Sequence, residues 1–389
     1  MQLETVTPLF LGGADPRGKP ELRAASVRGA LRFWLRALAG SSTGDSASGI
    51  EKLRQMEAQV FGSTDTGASP ISIQLKHRNP LETIGYSQLA ELDIQNNPRN
   101  TGIAYLFFAA RSDRSNPERK AIKAGTSFNL HLLPRPGIDA KSALQQSYAA
   151  LWLLTHLGGL GARSRRGAGS IQVTRSVMEN DWFSDLPGLV VQAKTPCELK
   201  EELEQGLRTI RTLLSGKAQI QRPSTFDILH PGVCQVIVID KTFNTWGDAL
   251  DWLGQEMRNF RSRRQPDYSN AKSAIQAFKP LSTTIERAAF GLPIAFYFRS
   301  LNKKATLQGS SHDRRASPLL IRVTRLSNGK CVLVLTLFYA NLLQHSERLK
   351  FNYQPEPNDG AVPPDFSLVD KFLYDIQSKG AACLKVTAW

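Results

Sequence analysis

Between Ser142 and Arg175 an apolar helix pattern runs through five glycines in twelve residues and straight into an alternating strand. No other passage constrains the fold as much. Ala143, Ala150, Leu151, Leu154 and Leu157 recur at helical spacing, and Ile171-Gln-Val-Thr-Arg alternates behind them. Upstream, Leu3 to Phe10 reads as a strand closed by Gly12-Gly13 and a polar turn through Asp15, Pro16 and Gly18. Val27, Ala30, Leu31, Trp34, Leu35 and Leu38 then predict a helix, with Ser26 at its N-cap and Gly40 at its end. Ile71 to His77 and Ser127 to Leu133 alternate as strands, and Tyr105 to Ala109 is a short apolar run. The order β-α-β-β-α-β, with extra material between the central strands, is the split βαβ of a ferredoxin-like domain.

The pattern resets near Asp185-Leu-Pro-Gly, so the chain divides into 1–185 and 186–389. At 389 residues and 41% hydrophobic composition there is apolar material for two cores. The second half predicts helices over 198–214, 246–260 and 367–378. Strands are expected over 233–240 and 294–298, followed by a hairpin of 319–324 and 332–338 through Asn328-Gly329 and a closing strand. Polar Arg261 to Lys272 reads as an exposed loop. No direct sequence repetition links the halves. The second half therefore also mixes helices with antiparallel strands, and the expected class is α+β with loop insertions.

Charge narrows the function. Forty-nine Lys and Arg against thirty-four Asp and Glu leave a net +15, which points to a polyanionic partner. Cys197, Cys234, Cys331 and Cys383 lie far apart with no C-x-x-C pair, against a zinc ribbon or disulfide framework. The opening residues show no signal-peptide pattern, and no stretch approaches the roughly 20 apolar residues of a membrane span. A cytoplasmic location with no membrane partner is therefore expected.

Two constellations carry the candidate chemistry. Arg28, Arg32 and Arg36 follow Arg23 and Ser26 at i, i+4, i+8, forming one stripe with no intervening acid. Such a stripe invites an anion, and the helix start near Ser26 offers free N–H groups to a phosphate. The competing reading is a core helix with a solvated basic edge. The second constellation is Gly158-Gly-Leu-Gly161-Ala-Arg163-Ser-Arg165-Arg166-Gly167-Ala-Gly169, where glycines permit close backbone approach and arginine forks match phosphate oxygens. It lacks G-K-[ST], and it runs helix to strand, the reverse of nucleotide-binding loops. A polynucleotide backbone fits it better; a tight connector with solvated arginines is the alternative. Arg261-Ser-Arg263-Arg264 and Arg314-Arg315 are weaker clusters that could extend a basic track into the second half. Charge reversal at Arg165 and Arg166 is expected to abolish RNA binding and spare the fold.

Catalytic signatures are poor. His77, His131, His156, His230, His312 and His345 show no metal spacing, and no nucleophile elbow or acidic metal cluster is visible.

The same residues carry a family resemblance. Thr7-Pro-Leu-Phe-Leu-Gly-Gly13, followed by the run from Leu22 to Leu38, resembles the opening of the RAMP superfamily of CRISPR proteins. Phe61-Gly-Ser63, the run from Ala149 to Gly169, Ala289-Phe-Gly-Leu-Pro-Ile294 and Arg315-Ala-Ser-Pro-Leu319 are similar to the family of first subunits of type III-B (Cmr) effector complexes. The resemblance spans nearly the whole chain. It implies tandem ferredoxin-like (RRM-like) domains with antiparallel sheets and loop insertions, in a subunit of a ribonucleoprotein whose guide RNA pairs with invading RNA. Its partners would be guide RNA and target RNA near the guide 3′ end and other subunits of the effector complex, with no cofactor and no metal. Catalysis is not implied, since cleavage and cyclic oligoadenylate synthesis belong to other subunits of such complexes. Matching motif positions are Ser26, Arg28, Gly29 and Arg32 in the helix, and Gly158, Gly159, Gly161, Arg163, Arg165, Arg166 and Gly167 in the loop. An aromatic is expected at position 168, where this chain has Ala168; if that aromatic stacks on a base, roughly 1–3 kcal/mol of base contact is missing here. Two alternatives stay open: a metal-independent endoribonuclease using His156 or His312, and a scaffold whose basic loop docks an acidic subunit.

Overall fold

The computed structural model describes residues 1–77, 80–178, 181–262, 264–344, 346–353 and 360–387. Its first half runs β1 (Gln2–Thr5), α1 (Ala24–Thr43), α2 (Ala47–Phe61) and β2 (Ile71–Lys76). An insertion follows, made of β3 (Thr83–Gly85), α3 (Tyr86–Leu89), α4 (Thr101–Leu106) and β4 (Lys120–Ile122). The half closes with β5 (Ser127–Pro134), α5 (Lys141–His156) and β6 (Ile171–Arg175). Its antiparallel sheet has the order β2-β5-β1-β6, with Leu3 opposite Phe128 and Val173.

The second half contains α6 (Pro196–Arg211), β7 (Cys234–Phe243), α7 (Trp246–Arg261), α8 (Asp267–Ala277), β8 (Ile294–Phe298) and β9 (Lys303–Gly309). It continues with β10 (Leu319–Arg325), β11 (Cys331–Phe338), β12 (Leu349–Phe351), α9 (Ser367–Ser378) and β13 (Cys383–Lys385). The main sheet is ordered β10-β11-β7-β13, while β12-β9-β8 form a separate sheet in the insertion. Counted within each half, both main sheets run second, third, first, fourth strand. The two halves are therefore tandem ferredoxin-like units, although their sequences show no repeat.

The second sheet is covered on both faces. Val236, Val238, Leu320, Val332 and Val334 share a core with Trp34, Leu151 and Leu154 of the first half. Ile237, Ile239, Ile321, Leu333 and Leu335 face the core built with α7 and α9. That explains why β11 is buried at every position and reads as a continuous apolar run. The expected boundary at 185/186 falls between β6 and α6, and Leu189, Val191 and Ala193 just beyond it are buried against the first half.

Four local expectations need correction. The first strand stops at Thr5, because Val6 and Leu9 turn their N–H groups to Ser170 O and Ile122 O. Helix α1 starts earlier and ends later than its pattern suggests: Arg23 is the N-cap, Ser26 lies inside the first turn, and Gly44 closes the helix. Gly40 stays helical; a side chain there would meet Phe226 and Ile228, so the glycine serves packing. Helix α2 escaped the pattern reading, although Ser46 caps it by accepting the Gly49 N–H at 3.1 Å. Residues 261–272 are not a plain loop: α8 begins at Asp267, whose buried carboxylate accepts the N–H groups of Glu286 and Arg287 at 2.9 and 2.8 Å. Arg263 and His345 lie outside the described residues.

Candidate nucleic-acid interface

The glycine loop is held in shape by the first half before any ligand arrives. Thr7 Oγ1 donates to Gly167 O at 2.7 Å and accepts the Ser170 N–H at 2.9 Å. Ala162 N–H donates to Phe10 O, and Gly169 N–H to Pro8 O. Two glycines are required for different reasons. Gly158 lies against Trp34, where a Cβ would come within 2.4 Å of the indole nitrogen. Gly167 has φ 86°, a left-handed conformation, and faces Leu250 of the second half. Gly159 and Gly161 pack on loop carbonyls and Phe10 O. The glycines thus shape the connector and dock it on the second half. Ala168 is fully buried in the second core. An aromatic at 168 would be enclosed by protein, so the alanine removes no exposed stacking surface.

The arginines divide into held and free groups. Arg32 donates to Phe61 O and Gly62 O at 3.1 and 2.7 Å, and its Nε lies 3.4 Å from Glu57. Arg36 pairs with the same carboxylate at 2.9 Å. The stripe's missing acid is therefore supplied by α2, out of sight of any reading along one helix. Arg165 bridges the halves, donating to Ser317 O at 2.6 Å and Asp227 Oδ2 at 2.5 Å while lying over Phe33. Arg166 donates to Phe290 O at 2.9 Å. Burial and the charge of Arg261 lower its pKa to about 9. Charge reversal at Arg165 and Arg166 would break this inter-half seam, so the expectation that the fold survives it is withdrawn.

Other arginines lack such partners. Among the described residues, Arg23, Arg28 and Arg163 make no side-chain hydrogen bond or ion pair. Arg163 sits at φ 62°, and its pKa is lowered by burial and then by Arg119. Arg119, missed in the sequence, is lowered by burial and then by Arg17 and Arg314. Its Nε is buried with no acceptor. Arg261 donates to Tyr105 Oη at 2.6 Å, yet its Nε also lacks an acceptor. A belt of like charges thus runs from Arg17 through Arg119 and Arg163 to Arg166 and Arg261. Nothing marked Arg119 in advance, because its neighbours come from three separate segments.

A second residue overlooked in sequence is Arg322, a charge in the middle of an apolar strand. It is fully buried and donates to Gly158 O and Ile171 O, both at 2.8 Å. It also contacts Leu154 O at 3.4 Å and Thr324 Oγ1 at 3.2 Å. Burial lowers its pKa to about 9. An arginine inside an otherwise apolar strand had to find such acceptors, which was the available signal.

Two histidines are engaged by the protein itself. His156 is buried, stacks on Trp152 at 4.1 Å and places Nδ1 2.8 Å from Trp152 O. Burial, with Arg322 adding, lowers its pKa from 6.5 to about 3. The unfolded chain therefore takes up a proton that the folded chain refuses. Stability from this site is complete above about pH 6.5 and is lost by about 1.4 kcal/mol per pH unit below it. Urea midpoints at pH 7 and pH 5 should fall less steeply for His156→Gln than for the wild type. His312 Nδ1 lies 2.9 Å from Glu347, which also accepts the backbone N–H groups of Ser311 and His312, so this pair shapes a loop. Among the described residues no group of three or more His, Cys, Asp or Glu is placed to hold a metal ion, and no helix is long and apolar enough to cross a membrane.

The model of the RAMP superfamily matches residues 2–172. The CRISPR system Cmr subunit Cmr1-2 of Pyrococcus furiosus is 35% identical over 177 residues, covering 44% of this chain and 92% of the relative. Cmr subunit Cmr1-1 of the same organism is 28% identical over 326 residues, covering 84% and 82%. The crystal structure of apo Cmr1 from Pyrococcus furiosus superposes over 100% of this chain and 98% of its own, with TM-score 0.62 at 24% identity. A chain of a type III-B Cmr-beta complex bound to cognate target RNA covers 97% and 98%, with TM-score 0.54 at 14% identity. At those identities the two structures speak for the fold. The chain belongs to the RAMP superfamily, within the family of Cmr1 subunits of CRISPR Cmr systems.

Proposed function

We propose that this chain is a non-catalytic RNA-binding subunit of a type III-B CRISPR effector in the cytoplasm, built of units 1–185 and 186–389. It holds guide or target RNA near the guide 3′ end and aids target capture. One observation carries the reading: the belt of mutually repelling arginines around the glycine loop. Among the described residues Arg163, Arg119 and Arg314 have no carboxylate within ion-pair distance, and the side chains of Arg23, the N-cap of α1, and Arg28, in its first turns, make no ion pair. A phosphate backbone offsets that repulsion, and arginine–phosphate contacts position RNA without reading bases. Base pairing to the guide supplies the specificity. Support also comes from the target-RNA-bound complex whose chain shares this fold. The nuclease alternative loses ground because His156 is buried and His312 is tied to Glu347.

The test is purification of the tagged chain from its native cells with sequencing of bound RNA. Discrete guide RNAs and several co-purifying subunits are expected; a chain carrying subunits but no RNA would favour the scaffold alternative.

Gly29 offers a finer check. It is exposed in mid-helix, and a Cβ there meets nothing within 4 Å. Neither packing nor φ demands glycine, which costs about 0.5–1 kcal/mol relative to alanine. Gly29→Ala is expected to stabilise the chain by that amount, read as a higher urea midpoint, while weakening RNA binding, because the backbone there is open to close approach. Unchanged RNA affinity would remove Gly29 from the interface.

A further inference from the structure

The outer face of the first sheet carries a polar hollow separate from the arginine belt. Leu3, Phe128 and Leu130 are buried in the core with Leu31 of α1 and Leu151 of α5, so Gln2 and Asn129 point outward by strand alternation. One rung there crosses all four strands: Lys76 stands opposite Asn129, Asn129 opposite Gln2, and Gln2 opposite Arg175. These four side chains line a cavity of about 860 Å³, with His131 beside them on β5. We propose that this hollow docks an acidic segment of a second protein chain, with carboxylates on Lys76 and Arg175 and backbone amides on the carboxamides of Asn129 and Gln2. This docking goes beyond RNA binding and stands whether or not the belt holds RNA.

Charge, surface chemistry and extent select that occupant. Glu82, the one acid among the described lining residues, is paired with Lys123 at 2.9 Å. Lys76, Arg175, Gln2 and Asn129 make no side-chain hydrogen bond or ion pair among the described residues. The hollow therefore presents cations with no acid to meet them, complementary to an anionic partner. Four-stranded sheets of this type that hold RNA stack its bases on aromatic side chains. Here the residues of β1 and β5 that face the hollow are Gln2, Ser127, Asn129 and His131, with no Phe, Tyr or Trp among them. Val177, 64% exposed at the rim, adds an apolar contact that suits a polypeptide. Further along the face Glu4 pairs with Arg325 at 2.7 Å, and Gln172 accepts the Arg325 N–H at 3.2 Å, so the second half closes that end. What stays open is the span from Lys76 to Arg175, three strand spacings or about 14 Å. An extended segment crosses it in about four residues, which puts alternate side chains toward the sheet and carboxylates on both cations.

The test titrates the full chain with an acetylated peptide of alternating Glu and Ser, with its Gln/Ser counterpart, and with a single-stranded RNA. The acidic peptide is expected to bind, and the Gln/Ser peptide to bind at least about tenfold more weakly. Lys76→Glu combined with Arg175→Glu reverses two exposed side chains that hold no bond, so the urea midpoint should stay in place. That double variant should lose at least about tenfold in affinity for the acidic peptide. Its RNA affinity should change less than about twofold at physiological salt, where distant charges are screened. Arg163→Glu should do the reverse, keeping the peptide and losing RNA. Tagged and purified from its native cells, the double variant should lose at least one subunit that the wild type retains. No peptide binding to the wild type, undiminished peptide binding to the double variant, or a double variant that keeps every subunit overturns the proposal. RNA lost from the double variant as fully as the peptide overturns it too, because the hollow then holds RNA. Peptide lost from the double variant while the wild type binds no RNA supports the docking face, and the RNA-binding reading alone falls.

Discussion

Arg322→Ala is expected to destabilise the chain by about 3–5 kcal/mol, read as a lower urea midpoint. The guanidinium is fully buried and serves acceptors on two segments of the first half, Gly158 at the start of the glycine loop and Ile171 at the start of β6. Truncation strips a charge-assisted donor from each carbonyl and leaves a cavity the size of the side chain between the halves. An unsatisfied buried acceptor costs about 1–3 kcal/mol, and the cavity adds to it. Desolvation of the charge works in the opposite direction, as its lowered pKa shows, and truncation returns part of that cost, so the lost acceptors and the cavity must outweigh it. Arg322→Lys should recover only part of the loss, because one compact ammonium cannot span the acceptors the fork serves. A loss below about 1 kcal/mol for the alanine variant would mean that water enters and satisfies the carbonyls.

Much of the fold was legible because both halves obey simple periodicities. Alternation at Ile71–Lys76 and Ser127–Pro134, and helical spacing over Lys141–His156, arise from one apolar face each. The hairpin through Gly329 announced itself by its turn. Residues 47–61 were harder: only Gly49, Leu53, Val60 and Phe61 are buried there, too sparse a stripe to stand out. Site residues were legible by type and only in part by role. Arg32, Arg36 and Arg165 look as free as Arg163 along the chain, yet Glu57 and Asp227 reach them across 21 residues or more. A sequence shows which residues can meet a phosphate, whereas tertiary packing decides which are already engaged. Arg119 and Arg314 acquired their place in the belt in the same way, from neighbours distant in sequence.

Arg163→Glu separates function from stability more sharply than any other single change. Among the described residues the Arg163 side chain makes no hydrogen bond or ion pair, and Arg119 already repels it. A glutamate there is surrounded by Arg119 and Arg166, so the unfolding midpoint is expected to hold or rise. RNA affinity should nevertheless fall by about tenfold or more, since a charge-assisted phosphate contact is worth about 1.5–3 kcal/mol and reversal adds repulsion. A residue whose charge reversal relieves the free protein and disables binding bears the signature of an interface paid for in stability.

The most direct measurement is the affinity of the purified chain for a short single-stranded RNA as a function of salt, for the wild type and Arg163→Glu together. The expected result is a steep linear fall of log K with log salt for the wild type, with the slope reduced by about 0.7 or more in the variant, one phosphate contact having been lost. Equal slopes and equal affinities in two folded proteins would contradict the assignment of the arginine belt as the RNA track.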